Sequence, residues 1–176
     1  MHAAILIVDM LQDFFKDGRL LENKEKLSRN INELTASARN NDVPVIWVRQ
    51  EFKPDLSDTF LGIRNGKTKV VTVAGTDGSK LLPELQTEQS DHEVIKKRYS
   101  ALFGTNLKQL LDELSVDTLI ICGVNTHACV RMAAIDAYQY DYNVLLASDC
   151  IDSYDQEHHR VSMRYLSAVI ATAEFS

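Results

Sequence analysis

The sequence predicts an α/β protein in which a parallel sheet carries helices on both faces. Short continuous apolar runs, typical of strands that are buried on both sides, alternate with amphipathic segments of helical period. That alternation indicates βαβ units, which place parallel strands side by side in one sheet. The chain has 176 residues, a length typical of one domain, so we expect residues 1–176 to form a single domain.

The strand predictions follow from runs rich in Ile, Val and Leu. These runs are 3–8, 43–48, 93–96, 118–122 and 144–147, of which the third is the weakest. Helical periodicity covers 24–40, 107–114, 126–140 and 155–173. Residues 51–80 break the alternation. They are rich in Gly, Asp, Lys and Thr, and predict a long excursion with one short strand at 69–73. Long excursions of this kind are often lids or interface segments.

The composition excludes several classes of protein. The formal net charge is −6 and no basic face or long block of Lys and Arg occurs, which disfavours nucleic acid and anionic membranes as partners. Three cysteines without a CxxC pair do not indicate a disulfide framework. The first residues lack the basic start of a signal peptide, and no apolar stretch reaches the ~18 residues of a membrane span. We therefore expect a cytoplasmic protein with reduced cysteines.

Polar residues follow three of the predicted strands. Asp9 ends the first strand, Lys96 ends the weak central strand, and Cys129 follows the fourth. Ligands in such folds bind outside the carboxyl ends of the strands, so we expect these side chains to converge. Each residue taken alone has a plainer interpretation. Asp9 would be a carboxylate in a turn, Lys96 a solvated strand end, and Cys129 a small apolar residue.

Together the three side chains make a nucleophilic site. A thiol is mostly protonated at neutral pH and needs help to attack a carbonyl. We predict Thr126 as the helix N-cap, which puts Cys129 in the first turn, where the helix dipole favours an anion. Lys96 adds a positive charge that should lower the thiol pKa, and Asp9 can accept the proton. His127 is a weaker candidate base, because residues two apart on a helix do not face each other.

Four segments resemble, in order, those of the isochorismatase-like cysteine hydrolases, which include nicotinamidases and N-carbamoylsarcosine amidases. The segments are ILIVDMLQDF, IKKRYSALFGTNL, LIICGVNTHACVRMAAIDAY and VLLASDCIDS. The resemblance implies a three-layer α/β/α sandwich with a six-stranded, mainly parallel sheet. It also implies a catalytic triad of Asp9, Lys96 and Cys129, and a non-proline cis peptide between Val124 and Asn125.

The resemblance further implies hydrolysis of a C–N bond in a small amide, ureido or carbamoyl substrate through a thioester. Nicotinamidases carry a histidine metal site after the second strand, but this chain reads RQEFK at 49–53, so we expect no metal and no cofactor. Related proteins are commonly dimers or tetramers, and we expect a homo-oligomer. The residues predicted to hold the oxyanion or the substrate are Val124, Asn125, Phe14, Trp47, Arg49 and Tyr99.

Two other functions remain open at this point. Some isochorismatases cleave a vinyl ether and lack the nucleophilic cysteine, so Cys129 would be dispensable for that reaction. A non-catalytic binding domain of the same fold would carry an unreactive thiol. The presence of Cys129 favours C–N hydrolysis.

Overall fold

The centre of the molecule is a six-stranded sheet, seen in a computed structural model that describes residues 2–171 and 173–175. Five longer strands are joined by a three-residue strand at one edge. The strands are β1 (Ala3–Val8), β2 (Val45–Gln50), β3 (His92–Lys96), β4 (Thr118–Gly123), β5 (Asn143–Ile151) and β6 (Ala173–Phe175). Their order is β3-β2-β1-β4-β5-β6 and every described pair is parallel, which confirms the predicted class.

Helices connect the strands and cover the sheet. They are α1 (Gly18–Asn40), α2 (Leu61–Arg64), α3 (Leu107–Glu113), α4 (Arg131–Gln139) and α5 (Gln156–Tyr165). Two π-helical turns adjoin them, Thr126–Val130 before α4 and Leu166–Ile170 after α5. The chain passes from β1 through α1 to β2 in one direction across the sheet, and from β4 through α4 to β5 in the opposite direction. Since such crossovers are right-handed, the two helices lie on opposite faces.

The core lies between the sheet and these helices. Leu27 and Ile31 of α1 are buried against it, as the helical period of the sequence predicts. On the other side, Ala133, Ala134 and Ala137 of α4 are fully buried, and their small side chains let the helix lie close to the sheet. Burying each large aliphatic side chain contributes about 1.5–3 kcal/mol. Among the described residues, no helix is long and apolar enough to cross a membrane.

Several predicted boundaries are wrong. β2 starts and ends two residues later than predicted, and β5 continues to Ile151 rather than stopping at 147. The last predicted helix, 155–173, ends at Ile170. Thr172 lies outside the described residues, and Ala173–Phe175 form β6.

The predicted strand at 69–73 is also wrong. Only an isolated bridge between Phe52 and Val73 forms there. The excursion is held instead by Asp13, whose Oδ2 accepts from the Thr72 backbone N–H at 2.5 Å. Gly78 packs directly on the same carboxyl group, so closely that a Cβ at this position would overlap it. These contacts with Asp13 hold the excursion beside the carboxyl end of β1.

Candidate active site

The carboxyl ends of the strands bring together the three side chains singled out in the sequence. Asp9 follows β1, Lys96 is the last residue of β3, and Cys129 lies in the π-helical turn after β4. The Lys96 Nζ is 2.6 Å from Asp9 Oδ2 and 3.3 Å from Cys129 Sγ. All three side chains are buried. The lysine therefore lies between a carboxylate and a thiol, shielded from solvent.

Asp9 is held by the backbone of the next strand. Its φ of +54° is in the left-handed region, which Asp and Asn occupy more readily than most residues. The Asp9 N–H donates to the Val48 carbonyl at 2.9 Å, and Oδ1 accepts from the Gln50 N–H at 2.8 Å. Oδ2 contacts Lys96 as an ion pair, without the alignment of a hydrogen bond. This oxygen therefore lies against the same ammonium that contacts the thiol.

Lys96 keeps its charge although it is buried. Burial alone would lower the pKa of Lys96, but the Asp9 carboxylate, together with the contact to Cys129, outweighs that effect and raises it. The ammonium also donates to the Arg98 carbonyl oxygen at 3.2 Å. A permanent cation is therefore positioned next to the thiol.

The thiol itself is neutral in the resting site. Burial raises the pKa of Cys129 well above its ordinary value; Lys96 opposes this shift and the negative charge of Asp9 adds to it. Lys96 therefore acts on the thiol pKa in the expected direction, but burial and Asp9 outweigh it and the net shift is upward. Desolvation and the nearby carboxylate dominate, so a thiolate forms only when its proton leaves for an adjacent base.

The turn that carries Cys129 is anchored differently from the prediction. Asn125, not Thr126, occupies the N-cap position. The Thr126 hydroxyl donates to the Asp152 carbonyl oxygen at 2.9 Å and contacts His159 Nδ1 at 2.7 Å. The turn is therefore fastened to the end of β5 and to α5.

Asp152 is in turn held from α1. Its carboxylate accepts from Arg19 Nε at 3.0 Å and from Asn23 Nδ2 at 2.7 Å. Elements on both faces of the sheet thus determine the position of the nucleophile's turn.

The backbone before Cys129 offers two candidate oxyanion donors. The peptide bond between Val124 and Asn125 is cis, as the resemblance implied. Val124 is wrong as an oxyanion residue, because it is buried and its N–H donates to the Val8 carbonyl at 2.9 Å. The amides of Thr126, Ala128 and Val130 also donate to carbonyl oxygens. The N–H groups of Asn125 and Cys129, near which the donors were predicted, stay candidates.

A cavity of about 440 Å³ opens beside Cys129, a volume suited to a small molecule. Its lining residues are Phe14, Gln50, Phe60, Ile63, Thr68, Lys69, Val71, Tyr99, Asn125, His127, Ala128, Cys129, Met132 and Tyr154. The predicted residues Phe14, Tyr99 and Asn125 are among them. The excursion 51–80 contributes five of the others, Phe60, Ile63, Thr68, Lys69 and Val71, and so forms a wall of the cavity.

Two predicted substrate residues do not reach this cavity. Trp47 is buried in the core and its indole N–H donates to Asp91 Oδ2 at 2.8 Å. Arg49 is paired with both carboxylate oxygens of Glu93, at 2.8 and 3.0 Å, and with Glu51 at 3.2 Å. Side chains alternate along a strand, so Gln50 rather than Arg49 points to the cavity.

The place of the nicotinamidase metal site does not fit a metal ion. The guanidinium of Arg49 forms ion pairs with the carboxylates of Glu51 and Glu93, so both are already paired with a cation. Within residues 2–171 and 173–175, no three His, Cys, Asp or Glu side chains lie together as a metal site requires.

Several lining residues were missed in the sequence. Gln50 pairs with Lys96 across β2 and β3 and is itself a strand end, the signal that identified Asp9 and Lys96. It was missed because β2 was predicted to stop at 48. His127 was considered only as a base. It contacts Ser153 Oγ at 2.6 Å and Tyr154 Oη at 3.3 Å, and lines the cavity beside the nucleophile.

Several known proteins are similar to this chain over nearly its whole length. A family model for the isochorismatase domain matches residues 3–175. A probable inactive nicotinamidase of Arabidopsis thaliana is 31% identical over 169 residues, covering 92% of this chain and 86% of that protein. The structure of an isochorismatase family protein from Desulfovibrio vulgaris aligns with a TM-score of 0.89 and 27% identity, covering 98% of this chain and 93% of that one. The N-carbamoylsarcosine amidase of Thermoplasma acidophilum aligns with a TM-score of 0.83 and 27% identity, covering 99% and 96%.

Proposed function

The chain belongs to the isochorismatase family of hydrolases, and we propose that it is a cysteine hydrolase that cleaves the C–N bond of a small amide, ureido or carbamoyl substrate. One observation carries the proposal. The Lys96 ammonium lies between the Asp9 carboxylate and the Cys129 thiol, and the thiol opens on a cavity of small-molecule size.

Acylation begins with a proton transfer. Asp9 takes the thiol proton of Cys129, and Lys96 stabilises the thiolate that remains. The thiolate attacks the substrate carbonyl, and the N–H groups of Asn125 and Cys129 hold the oxyanion. Asp9 then returns its proton to the leaving nitrogen. The C–N bond breaks, ammonia or an amine departs, and a thioester to Cys129 remains.

Deacylation repeats these roles with water. Asp9 removes a proton from a water molecule that attacks the thioester carbonyl. The C–S bond breaks and the thiolate takes the proton back from Asp9. The acid is released and the resting site, with its neutral thiol and charged lysine, is restored.

A non-catalytic domain is the second candidate, because one relative is named a probable inactive nicotinamidase. The contacts among Asp9, Lys96 and Cys129 support the enzyme, since a binding domain has no need of a buried cation against a thiol. Vinyl-ether hydrolysis differs from C–N hydrolysis in that its turnover would not depend on the Cys129 thiol.

The test is ammonia release across a panel of small amides, ureido acids and carbamoyl compounds. We expect Cys129→Ala to lower turnover by at least about 10³-fold while circular dichroism stays unchanged. Cys150→Ala is the matched control, because this second thiol lies in β5 and does not line the cavity. Mass spectrometry of quenched wild-type enzyme should show an acyl group on Cys129. Undiminished amide hydrolysis by Cys129→Ala would overturn the proposal.

A further inference from the structure

We propose that the site selects anionic substrates, in which a carboxylate distant from the scissile carbonyl pairs with Lys69. This inference rests on the proposed function and names the substrate class more narrowly. Its basis is the distribution of charge around the cavity.

The cavity wall carries one charged group at neutral pH. Of its fourteen lining residues, none is Asp or Glu and Lys69 alone is Lys or Arg. His127 is neutral there, because burial and the neighbouring His158 lower its pKa. Behind the wall, the opposite charges of Asp9 and Lys96 lie 2.6 Å apart and offset each other. The cavity is therefore electrostatically complementary to an anion.

Lys69 has no counterion among the described residues, since no hydrogen bond or salt bridge of its side chain joins it to residues 2–171 or 173–175. Neighbouring cations are engaged. Arg64 donates to the Ser57 carbonyl at 3.1 Å, and Arg98 donates to the Asp58 carbonyl at 2.8 Å. Lys69 is thus the cation at this wall that is available to a ligand.

The remaining wall favours an apolar body in the substrate. The rings of Phe60 and Tyr99 lie 4.8 Å apart, centroid to centroid, and Phe14 lines the same cavity. Rings of this kind bind planar or aliphatic groups through their faces. A fitting substrate therefore has an amide or carbamoyl carbonyl at one end, a short aromatic or aliphatic body, and a carboxylate at the other.

The first experiment compares charged and neutral substrates of similar shape. The pairs are 4-carbamoylbenzoate with benzamide, and succinamate with butyramide. We expect the wild-type enzyme to favour each carboxylate by about tenfold in kcat/KM. Raising the ionic strength should reduce this preference, because Lys69 is exposed.

The second experiment removes the cation. Lys69→Gln should raise KM for the carboxylates by about fivefold and Lys69→Glu by more, and both should raise KM for the carboxylates more than for the neutral amides. Lys67→Gln is the matched control, because Lys67 is exposed in the same segment and does not line the cavity. Equal kcat/KM for the charged and neutral members of each pair, or equal effects of the two Gln variants, would overturn the proposal.

A binding measurement separates this inference from the hydrolase proposal. Calorimetry with Cys129→Ala measures the affinity for 4-carbamoylbenzoate without turnover. Binding that weakens about fivefold on adding Lys69→Gln supports the anion site even if no amide is hydrolysed. Binding that is absent, or unaffected by Lys69→Gln, overturns it even if neutral amides are good substrates.

Discussion

At the scale of single residues, the acidity of the Cys129 thiol depends on the charge of Asp9. Both side chains contact the buried ammonium of Lys96, and the carboxylate charge is one of the causes that raise the thiol pKa. Removing the carboxylate charge should have opposite effects on thiol acidity and on catalysis.

Asp9→Asn tests this dependence. The variant keeps the Lys96 cation but loses the negative charge, so we expect the pKa of Cys129 to fall. Turnover should fall by at least about 10²-fold, because no base remains to carry the proton. Ultraviolet absorbance of the thiolate against pH measures the first effect, with Cys129→Ala as the blank. A thiol pKa that is unchanged or higher in Asp9→Asn would contradict this dependence.

At the scale of elements, Gly123 determines how β4 turns towards the nucleophile. Its φ is +108°, and a Cβ there would overlap the Val8 carbonyl oxygen and lie 2.7 Å from the Val8 nitrogen. Only a glycine allows β4 to stay paired with β1 at this point while the chain turns towards Cys129.

Gly123→Ala should therefore destabilise the protein by about 3 kcal/mol or more and misplace the catalytic turn. The matched control is Gly66→Ala, because Gly66 also has a positive φ, +70°, but a Cβ there would meet no atom within 4 Å. Gly66→Ala should lower the free energy of unfolding only by the cost of placing an alanine at positive φ, about 1 kcal/mol. Urea denaturation measures both. Equal losses in the two variants would show that close approach to Val8 does not matter.

The elements that were predicted well are those in which burial on both faces leaves an apolar run. β1 was predicted with its observed bounds for this reason. Burial on both faces also leaves the orientation of the side chains undetermined, because the sequence of a strand that is apolar on both sides does not reveal which side chains face the cavity. Trp47 and Arg49 were chosen on that account, whereas Gln50 was missed because β2 was predicted to stop at 48. The wall from Phe60 to Val71 has no strand or long helix, so its packing depends on contacts such as those of Asp13, distant in sequence.

The triad could be proposed from the sequence because strand ends are readable and parallel strands share an edge. The direction of the thiol pKa shift could not be predicted from the sequence, since it depends on desolvation, which only the packed structure reveals. The prediction of Thr126 as the N-cap was wrong for a related reason: its hydroxyl donates to the carbonyl oxygen of Asp152, twenty-six residues later.

At the scale of the whole molecule, the expected homo-oligomer stays a prediction. Sedimentation velocity over a range of protein concentrations should give the mass of a dimer or tetramer. A single monomeric species at all concentrations would contradict the expectation.

Asp91 links three parts of the molecule, and its titration should limit stability in acid. Its carboxylate accepts from Arg39 of α1 at 2.6 Å, from Trp47 of β2 at 2.8 Å and from the Glu88 N–H at 3.0 Å. Burial alone would raise the pKa of Asp91, but these three donors outweigh it and hold the pKa below its ordinary value of 3.8. A carboxyl whose pKa is lower in the folded state stabilises the protein above its unfolded pKa. That contribution is lost as the pH falls through the folded pKa.

Asp91→Asn should therefore cost about 2 kcal/mol of unfolding free energy at neutral pH. The gap to the wild type should stay constant down to about pH 4, then narrow towards about pH 2 as the wild-type carboxyl is protonated. Urea denaturation across this range measures it. Glu22→Gln, on the exposed side of α1, is the control, and its curve should parallel that of the wild type. A gap for Asp91→Asn that persists undiminished to about pH 2 would show that the charge of Asp91 contributes nothing to holding α1, β2 and the start of β3 together.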